Sequence, residues 1–361
     1  MLFFLTETLI QIKILNVLIV LFLFYVFSFS TICFWRSNSN FIIKKFIYEA
    51  SQKVHIGDVP RMGGLIIYVC LWFCTILNNY IILQNILICT LPTMLIIVKE
   101  DLFNNVSYQI RLFGLTLSAI CLILFSVINF PEINNLPFIS SFFQYKSFNI
   151  IFFTVCIIVL ANGFNFIDGM NGLLIFYLLG AIVSCLFLCF IVGDIVNAKL
   201  LLIYALFCFA FLTINYPWGK IFLGDSGAYL LGMIIGVWVI NFFAVNSTIS
   251  SWNAALIFFY PSIEVLYSII RKLSQKKSPF LPDHEHLHLK IFELLDLKYS
   301  NAKISNNLTT LSLAIFWLVP PLFLPLVYDC QILIILMLAI FTIIYLVISF
   351  MIPFQRIKDK L

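Results

Sequence analysis

Apolar stretches of about twenty residues dominate the chain, and short polar segments separate them. A helix needs about 20 apolar residues to cross the hydrocarbon core of a bilayer, so each stretch predicts a membrane-spanning helix. We identify eleven such stretches, which begin near Leu15, Gly63, Ile81, Leu112, Ile150, Leu173, Leu200, Gly227, Trp252, Leu308 and Ile332. Only Asn78, Asn79 and Tyr80 separate the second from the third, which predicts a tight helical hairpin.

The composition agrees with this pattern. The chain is 63% hydrophobic and 10% charged, whereas a soluble domain carries about 25% charged residues. No internal repeat or separate soluble segment stands out, so we expect one integral membrane domain over residues 1–361. The ten cysteines form no CxxC pair and are interpreted as small apolar fillers. The expected fold is therefore an all-α polytopic membrane protein.

The positive charges predict the orientation of the helices. With eleven spans, one set of loops holds 18 of the 21 Lys and Arg residues, and the other set holds only Lys13, Lys146 and Lys199. Positive loops face the cytoplasm, so the N-terminus is expected outside and the C-terminus inside. The net charge of +5 then reflects topology and attraction to anionic lipid, and no nucleic-acid partner is expected.

Candidate chemistry lies in the loops predicted to be cytoplasmic. The first ends in Lys53, His55, Pro60 and Arg61 before Gly63-Gly64, and the second carries Glu100-Asp101-Leu102-Phe103. Adjacent acids at a membrane border raise each other's pKa unless a cation lies near, so a divalent metal or a substrate proton would suit them. By itself, the first loop is better read as a basic interfacial segment, whereas a solvated acid pair is only the alternative reading of the second.

The third loop, Asn162 to Leu173, reads NGFNFIDGMNGL. Asn162, Asn165, Asp168 and Asn171 recur at every third residue and would be near neighbours on a helical turn. The fourth loop contains Gly224-Asp225-Ser226-Gly227, where a carboxylate between glycines at a helix start could approach a hard cation. Each of these also reads as an ordinary glycine-capped helix end.

The fifth loop, Arg271 to Asn307, contains His284, His286 and His288. Without a nearby cysteine, alternating histidines are better read as a polar rim for phosphate than as a zinc site. Upstream, Glu264 lies inside the ninth predicted span, where an acid needs a partner; Arg271, on the same helical face, is one candidate. The acids cluster at one membrane border, which favours an enzyme over a transporter with acids at the bilayer midplane.

Taken together, these loops resemble the polyprenyl-phosphate N-acetylhexosamine-1-phosphate transferases, a branch of glycosyltransferase family 4, over nearly the whole chain. The motifs that match, in order, are Pro60 to Gly64, Glu100 to Phe103, Asn162 to Leu173, Gly224 to Gly227, and His286-Leu287-His288. Three positions depart from the family pattern: Glu100 replaces an aspartate, Asn171 replaces an acid, and Leu289 replaces a histidine.

The resemblance implies transfer of an N-acetylhexosamine 1-phosphate from a UDP-sugar to polyprenyl phosphate, with release of UMP, at the cytoplasmic face of the inner (plasma) membrane. Mg²⁺, or Mn²⁺ in its place, would be the cofactor, and a homodimer is compatible with it. Asp225 and Asp168 are expected to hold the metal, with Asp101, Glu100 and Asp168 as the catalytic acids. The expected substrate-binding residues are Lys53, Arg61, Asn162, Asn165, Asn171, His286 and His288.

Two alternatives remain open from the sequence. A polytopic transporter of an anionic solute is the non-enzyme alternative. Within the family, the phospho-N-acetylmuramoyl-pentapeptide branch is the other, although it carries threonine where Arg61 stands here and a contiguous histidine run.

Overall fold

The computed structural model describes residues 13–37, 59–127, 129–133, 140–279 and 285–352. Lys53, predicted to bind substrate, lies outside these ranges, as do His55 and His284. The described residues form helices and no strand, which confirms the all-α expectation.

Fifteen α-helices and one short 3₁₀ helix, Ser140–Gln144, make up the described part of the chain. The α-helices are α1 (Ile14–Ser37), α2 (Gly63–Asn78), α3 (Ile81–Phe103), α4 (Tyr108–Phe125), α5 (Lys146–Ile167), α6 (Leu173–Val192), α7 (Ile195–Asn215), α8 (Gly224–Val245), α9 (Trp252–Ile257), α10 (Phe259–Ser274), α11 (Leu287–Tyr299), α12 (Ala302–Trp317), α13 (Val319–Leu322), α14 (Leu324–Val327) and α15 (Gln331–Met351).

Nine spans in the described part of the chain are long and apolar enough to cross a membrane, as in a multi-pass membrane protein. One of them, Ala302–Val327, is built from α12, α13 and α14 in succession. The two remaining predicted spans correspond to α2, which is shorter at 16 residues, and to the interrupted pair α9 and α10. The total of eleven spans and the orientation of the termini stay predictions.

The predicted hairpin between α2 and α3 is confirmed. Helix α2 ends at Asn78 and α3 begins at Ile81. Asn79 adopts a left-handed conformation with φ of 55°, and its N–H donates to the carbonyl of Thr75. Asparagine tolerates this conformation better than most residues, so two residues are enough to reverse the chain.

Helix α8 lies at the centre of the bundle. Of its most apolar stretch, 83% is buried, against 22% for α15. Its glycines permit this position: a side chain at Gly232 would overlap the backbone of Ala161 on α5. Because α8 is packed on several sides, its first turn, Gly224 to Gly227, is held in a fixed position relative to its neighbours.

The break between α9 and α10 follows from Pro261. Proline has no N–H to donate to the carbonyl four residues earlier, which is that of Ile257. The Tyr177 hydroxyl of α6 donates to that carbonyl instead, at 2.7 Å. The helix is thereby interrupted at Phe258 without leaving a buried carbonyl unbonded, and α10 restarts with Glu264 facing the interior.

Candidate active site

Asp101 joins the end of α3 to the start of α8. Its Oδ1 accepts a hydrogen bond from the Asp225 N–H, and its Oδ2 accepts one from the Ser226 N–H, both at 2.9 Å. The first amides of a helix have no partner within the helix, and they attract negative charge. Asp101 is only 7% exposed. A Cβ on Gly224, whose φ is +78°, would lie 2.7 Å from its Oδ2, so only glycine suits this turn.

The glycine pair Gly63-Gly64 packs against the same first turn of α8. The N–H groups of Gly63 and Gly64 donate to the carbonyls of Phe222 and Leu223, at 3.0 and 2.8 Å. A Cβ on Gly64 would overlap the backbone of Gly227. The start of α2 and the start of α8 therefore touch through their backbones, and Arg61, two residues before Gly63, lies within electrostatic range of Asp168.

Arg111 lies between two of the predicted acids. Its Nη1 donates to Asp225 Oδ2 at 3.2 Å and lies 4.0 Å from Glu100 Oε1. Glu100 also accepts from the Val106 N–H at 2.7 Å. Glu100 and Asp101, adjacent in sequence, thus have different partners, and the cation that an acid pair needs is supplied by α4.

Asp168 follows the last turn of α5 and belongs to the same group of charges. Burial raises the pKa of Asp168, the charge of Asp225 raises this pKa further, Arg61 lowers it, and Asp101 raises it. Among the described residues, none hydrogen-bonds to the Asp168 carboxylate. Asp168 therefore differs from Asp101, whose two oxygens are both bonded.

The two predicted histidines lie at the start of α11, His286 as its N-cap and His288 in its first turn, and His288 reaches this group. The His288 ring is so close to Gly169 that a Cβ there would overlap its Nε2. The rings of His286 and His288 stack with centroids 5.7 Å apart. Burial and the neighbouring His286 lower the pKa of His288 to about 3, so this ring is neutral, and its Nδ1 has no hydrogen-bond partner among the described residues.

The suggested pairing of Glu264 with Arg271 is wrong. Glu264 Oε2 lies 3.3 Å from His286 Nδ1, and Arg271 instead pairs with Glu285 at 3.0 Å. Helical spacing indicated the face on which Glu264 lies, but its partner is His286, which is 22 positions away in the sequence. No local sequence pattern pointed to that contact beyond the presence of an acid inside a predicted span.

The three predicted asparagines have separate environments. Asn162 donates to the Ile158 carbonyl at 2.8 Å, and Tyr229 approaches its Oδ1 at 3.5 Å. Asn165 lies in the last turn of α5, where its carbonyl accepts from the Asp168 N–H at 3.4 Å. Asn171 is buried with its side chain against Gly219, and no residue in the described ranges hydrogen-bonds to its Oδ1. Their predicted role in substrate binding stays a prediction.

The carboxylates fit a hard divalent cation. In the described ranges, no group of three or more His, Cys, Asp or Glu side chains forms a ready-made metal site. Mg²⁺, however, is usually bound through one or two carboxylates together with substrate phosphates and water. Asp168, without a hydrogen-bonded partner and within the field of Asp225, is a carboxylate of that kind.

Comparison with known proteins agrees with this arrangement. The sequence model of glycosyl transferase family 4 matches residues 83–243. The chain is therefore similar to glycosyl transferase family 4 over this range. The matched range contains Glu100, Asp101, Asp168 and Asp225, whereas Arg61 and the two histidines lie outside it and join the group only in three dimensions.

Three curated proteins show what the chain is similar to over a longer range. The undecaprenyl-phosphate alpha-N-acetylglucosaminyl 1-phosphate transferase of Thermotoga maritima is 29% identical over 66% of this chain and 69% of its own length. The protein of the same name from Escherichia coli K12 is 27% identical over 66% of each chain. The phospho-N-acetylmuramoyl-pentapeptide-transferase of Petrotoga mobilis is 25% identical over 75% of this chain and 88% of its own length.

Proposed function

We propose that this protein transfers an N-acetylhexosamine 1-phosphate from a UDP-sugar to polyprenyl phosphate and releases UMP. In this reaction an oxygen of the lipid phosphate bonds to the β-phosphorus of the donor, and the bond between that phosphorus and the bridging oxygen of UMP breaks. Two relatives whose names specify transfer of N-acetylglucosaminyl 1-phosphate to undecaprenyl phosphate support the substrate class.

The observation that carries the proposal is the convergence of charge at one end of the bundle. Asp101, Asp168 and Asp225 come from three different helix ends, and Arg61 and Arg111 lie among them. Phosphoryl transfer requires positioning and neutralisation of charge more than covalent chemistry from the protein. Acids that can hold a metal, next to cations that can contact phosphate, meet both requirements.

Individual roles follow from the surroundings of each residue. Asp168 and Asp225 would hold Mg²⁺ or Mn²⁺, and the metal would neutralise negative charge on the diphosphate of the donor. Arg61, His286 and His288 would contact phosphate oxygens. Glu100 would keep Arg111 beside Asp225. Asp101 retains lone pairs beyond its two amide bonds, which is compatible with orienting or deprotonating the lipid phosphate. That role stays a prediction.

We place the site at the cytoplasmic face of the inner membrane, because 18 of the 21 Lys and Arg residues fall on that set of loops. A reporter fused after Leu361 should then be cytoplasmic, and one inserted near Gln144 should be external. The reverse labelling pattern would place the acids outside, away from nucleotide sugars, and would contradict the proposal.

The test of the reaction is incubation of purified protein with undecaprenyl phosphate, Mg²⁺ and one UDP-sugar at a time. We expect UMP release with a UDP-N-acetylhexosamine, loss of release in EDTA, and recovery when Mg²⁺ is returned. UDP-N-acetylmuramoyl-pentapeptide belongs in the panel, because the Petrotoga mobilis relative acts in that branch by name. Solute uptake into sealed vesicles without UMP release would favour a transporter instead.

A further inference from the structure

Glu264 is a buried acid that the proposed reaction does not use. It is 1% exposed in the interior of α10. Burial of a carboxylate costs several kcal/mol unless hydrogen bonds and an opposite charge compensate. Its Oε2 faces His286 Nδ1 at 3.3 Å, while its Oε1 has no hydrogen-bond partner within the described ranges. Glu264 therefore pairs with a histidine of the candidate site, and the Tyr345 hydroxyl also lies near its carboxylate.

His286 is held on two sides besides that of Glu264. The Phe166 ring of α5 lies against it with centroids 4.8 Å apart. On another side, the ring of His286 stacks on that of His288 with an interplanar angle of 9°. Because His288 in turn lies against Gly169, the residue after Asp168, the contacts run without a gap from Glu264 to the acid group.

We propose that Glu264 is a positioning residue for the histidine pair. Its carboxylate accepts a hydrogen bond from His286 Nδ1–H, which fixes the ring orientation and the location of the proton on Nδ1. A hydrogen bond at one ring nitrogen determines what the other nitrogen can offer to a ligand. The stacked His288 is thereby held beside Asp168, where phosphate would bind. The ligand of His288 in this inference rests on the proposed function. The contacts among Glu264, His286 and His288 do not.

The first experiment determines, without substrate, which ring nitrogen of His286 carries the proton. The chain has four histidines, so ¹⁵N-histidine labelling gives few signals, which single His→Gln substitutions assign. In the unmodified protein we expect His286 to be protonated at Nδ1. In Glu264→Gln this signal should move towards the ordinary tautomer mixture. Glu293→Gln, which removes an acid two turns along α11, should leave it unchanged.

The second experiment measures turnover. Groups that orient a ligand-contacting histidine typically affect activity by about 10-fold to 100-fold. We expect a loss in kcat/KM of that order for Glu264→Gln, with an unchanged Mg²⁺ requirement. Glu264→Asp, which keeps the charge on a shorter arm, should recover part of both the turnover and the His286 signal.

These outcomes separate the positioning role from the reaction. If the unmodified protein releases no UMP with any donor, the proposed function fails, and the NMR comparison still decides the role of Glu264. If the His286 signal is the same in the unmodified protein, in Glu264→Gln and in Glu264→Asp, the positioning role is overturned. If Glu264→Gln does not fold, the unmodified protein alone decides: a His286 ring without a proton on Nδ1 overturns the positioning role as well.

Discussion

Asp101 and Asp168 are both acids of the candidate site, but their surroundings are opposite. Asp101 is bonded through both oxygens to the backbone of Asp225 and Ser226. Asp168 has no hydrogen bond to its carboxylate from the described residues, and it lies in the field of two other acids and of Arg61. Asp101 holds two helices together through both of its oxygens, whereas Asp168 has its whole carboxylate available for a ligand.

The same difference extends to the segments around them. Near Asp101 the contacts are backbone to backbone, as between Gly64 and Gly227. Near Asp168 the His288 ring packs against Gly169, and His288 Nδ1 has no hydrogen-bond partner in the part of the chain that the structure describes. We infer that the segments around Asp101 determine stability and geometry, while those around Asp168 bind the ligand. Substitutions in the two regions should therefore change different measured quantities.

Asp168→Asn should have the largest effect, and that effect should be on turnover. The amide keeps the size of the side chain but removes a charge that would face the metal and the diphosphate. Loss of one preorganised electrostatic contact typically costs on the order of 10²–10³ in kcat, about 3–4 kcal/mol. UMP release at saturating Mg²⁺ measures it. The midpoint of thermal unfolding should not fall, since no hydrogen bond is lost.

Gly64→Ala should chiefly reduce stability. The added methyl group would overlap the backbone of Gly227, which cannot rotate away. Overpacking of a tight site costs about 1–3 kcal/mol, and contact with backbone belongs at the upper end of that range. Thermal unfolding in detergent is the measurement. Gly236→Ala on α8 is the control, because its Cβ would meet Leu160 at an ordinary 3.5 Å; equal midpoints for the two variants would argue against the backbone lock.

Asp101→Asn should destabilise by a similar or smaller amount. An asparagine offers one acceptor oxygen where the two amides of Asp225 and Ser226 now have two. One buried N–H is then left unbonded, at a cost of about 1–3 kcal/mol. A lowered unfolding midpoint would support this, whereas a variant as stable as the unmodified protein would show that the two hydrogen bonds contribute little.

Arg111→Gln should have the smallest effect on stability. The Arg111 side chain is 31% exposed, so solvent screens its pairing with Asp225 and Glu100. Ion pairs of this exposure contribute about 0–1 kcal/mol. The unfolding midpoint should shift little, and the shift should shrink further in high salt. A fall in the unfolding midpoint as large as that of Gly64→Ala would mean that Arg111, like Asp101, chiefly stabilises the fold.

The helices and the hairpin were predictable because hydrophobic run length and the Asn79 turn are local properties of the chain. Convergence of Asp101, Asp168 and Asp225 was indicated by their position at successive helix ends on one predicted side. The division of labour between Asp101 and Asp168 was not predictable, since it depends on amides 124 and 125 residues away from Asp101. Similarly, helical spacing suggested Arg271 for Glu264, although tertiary packing brings His286 to it.

The most direct test of the account measures UMP release and thermal unfolding on the same preparations of unmodified protein, Asp168→Asn and Asp101→Asn. We predict that Asp168→Asn unfolds no more easily than the unmodified protein and turns over on the order of 10²–10³ more slowly. We predict that Asp101→Asn unfolds at a lower temperature. Near-normal turnover in Asp168→Asn, or a stable Asp101→Asn beside an unstable Asp168→Asn, would contradict the division of roles between the two acids.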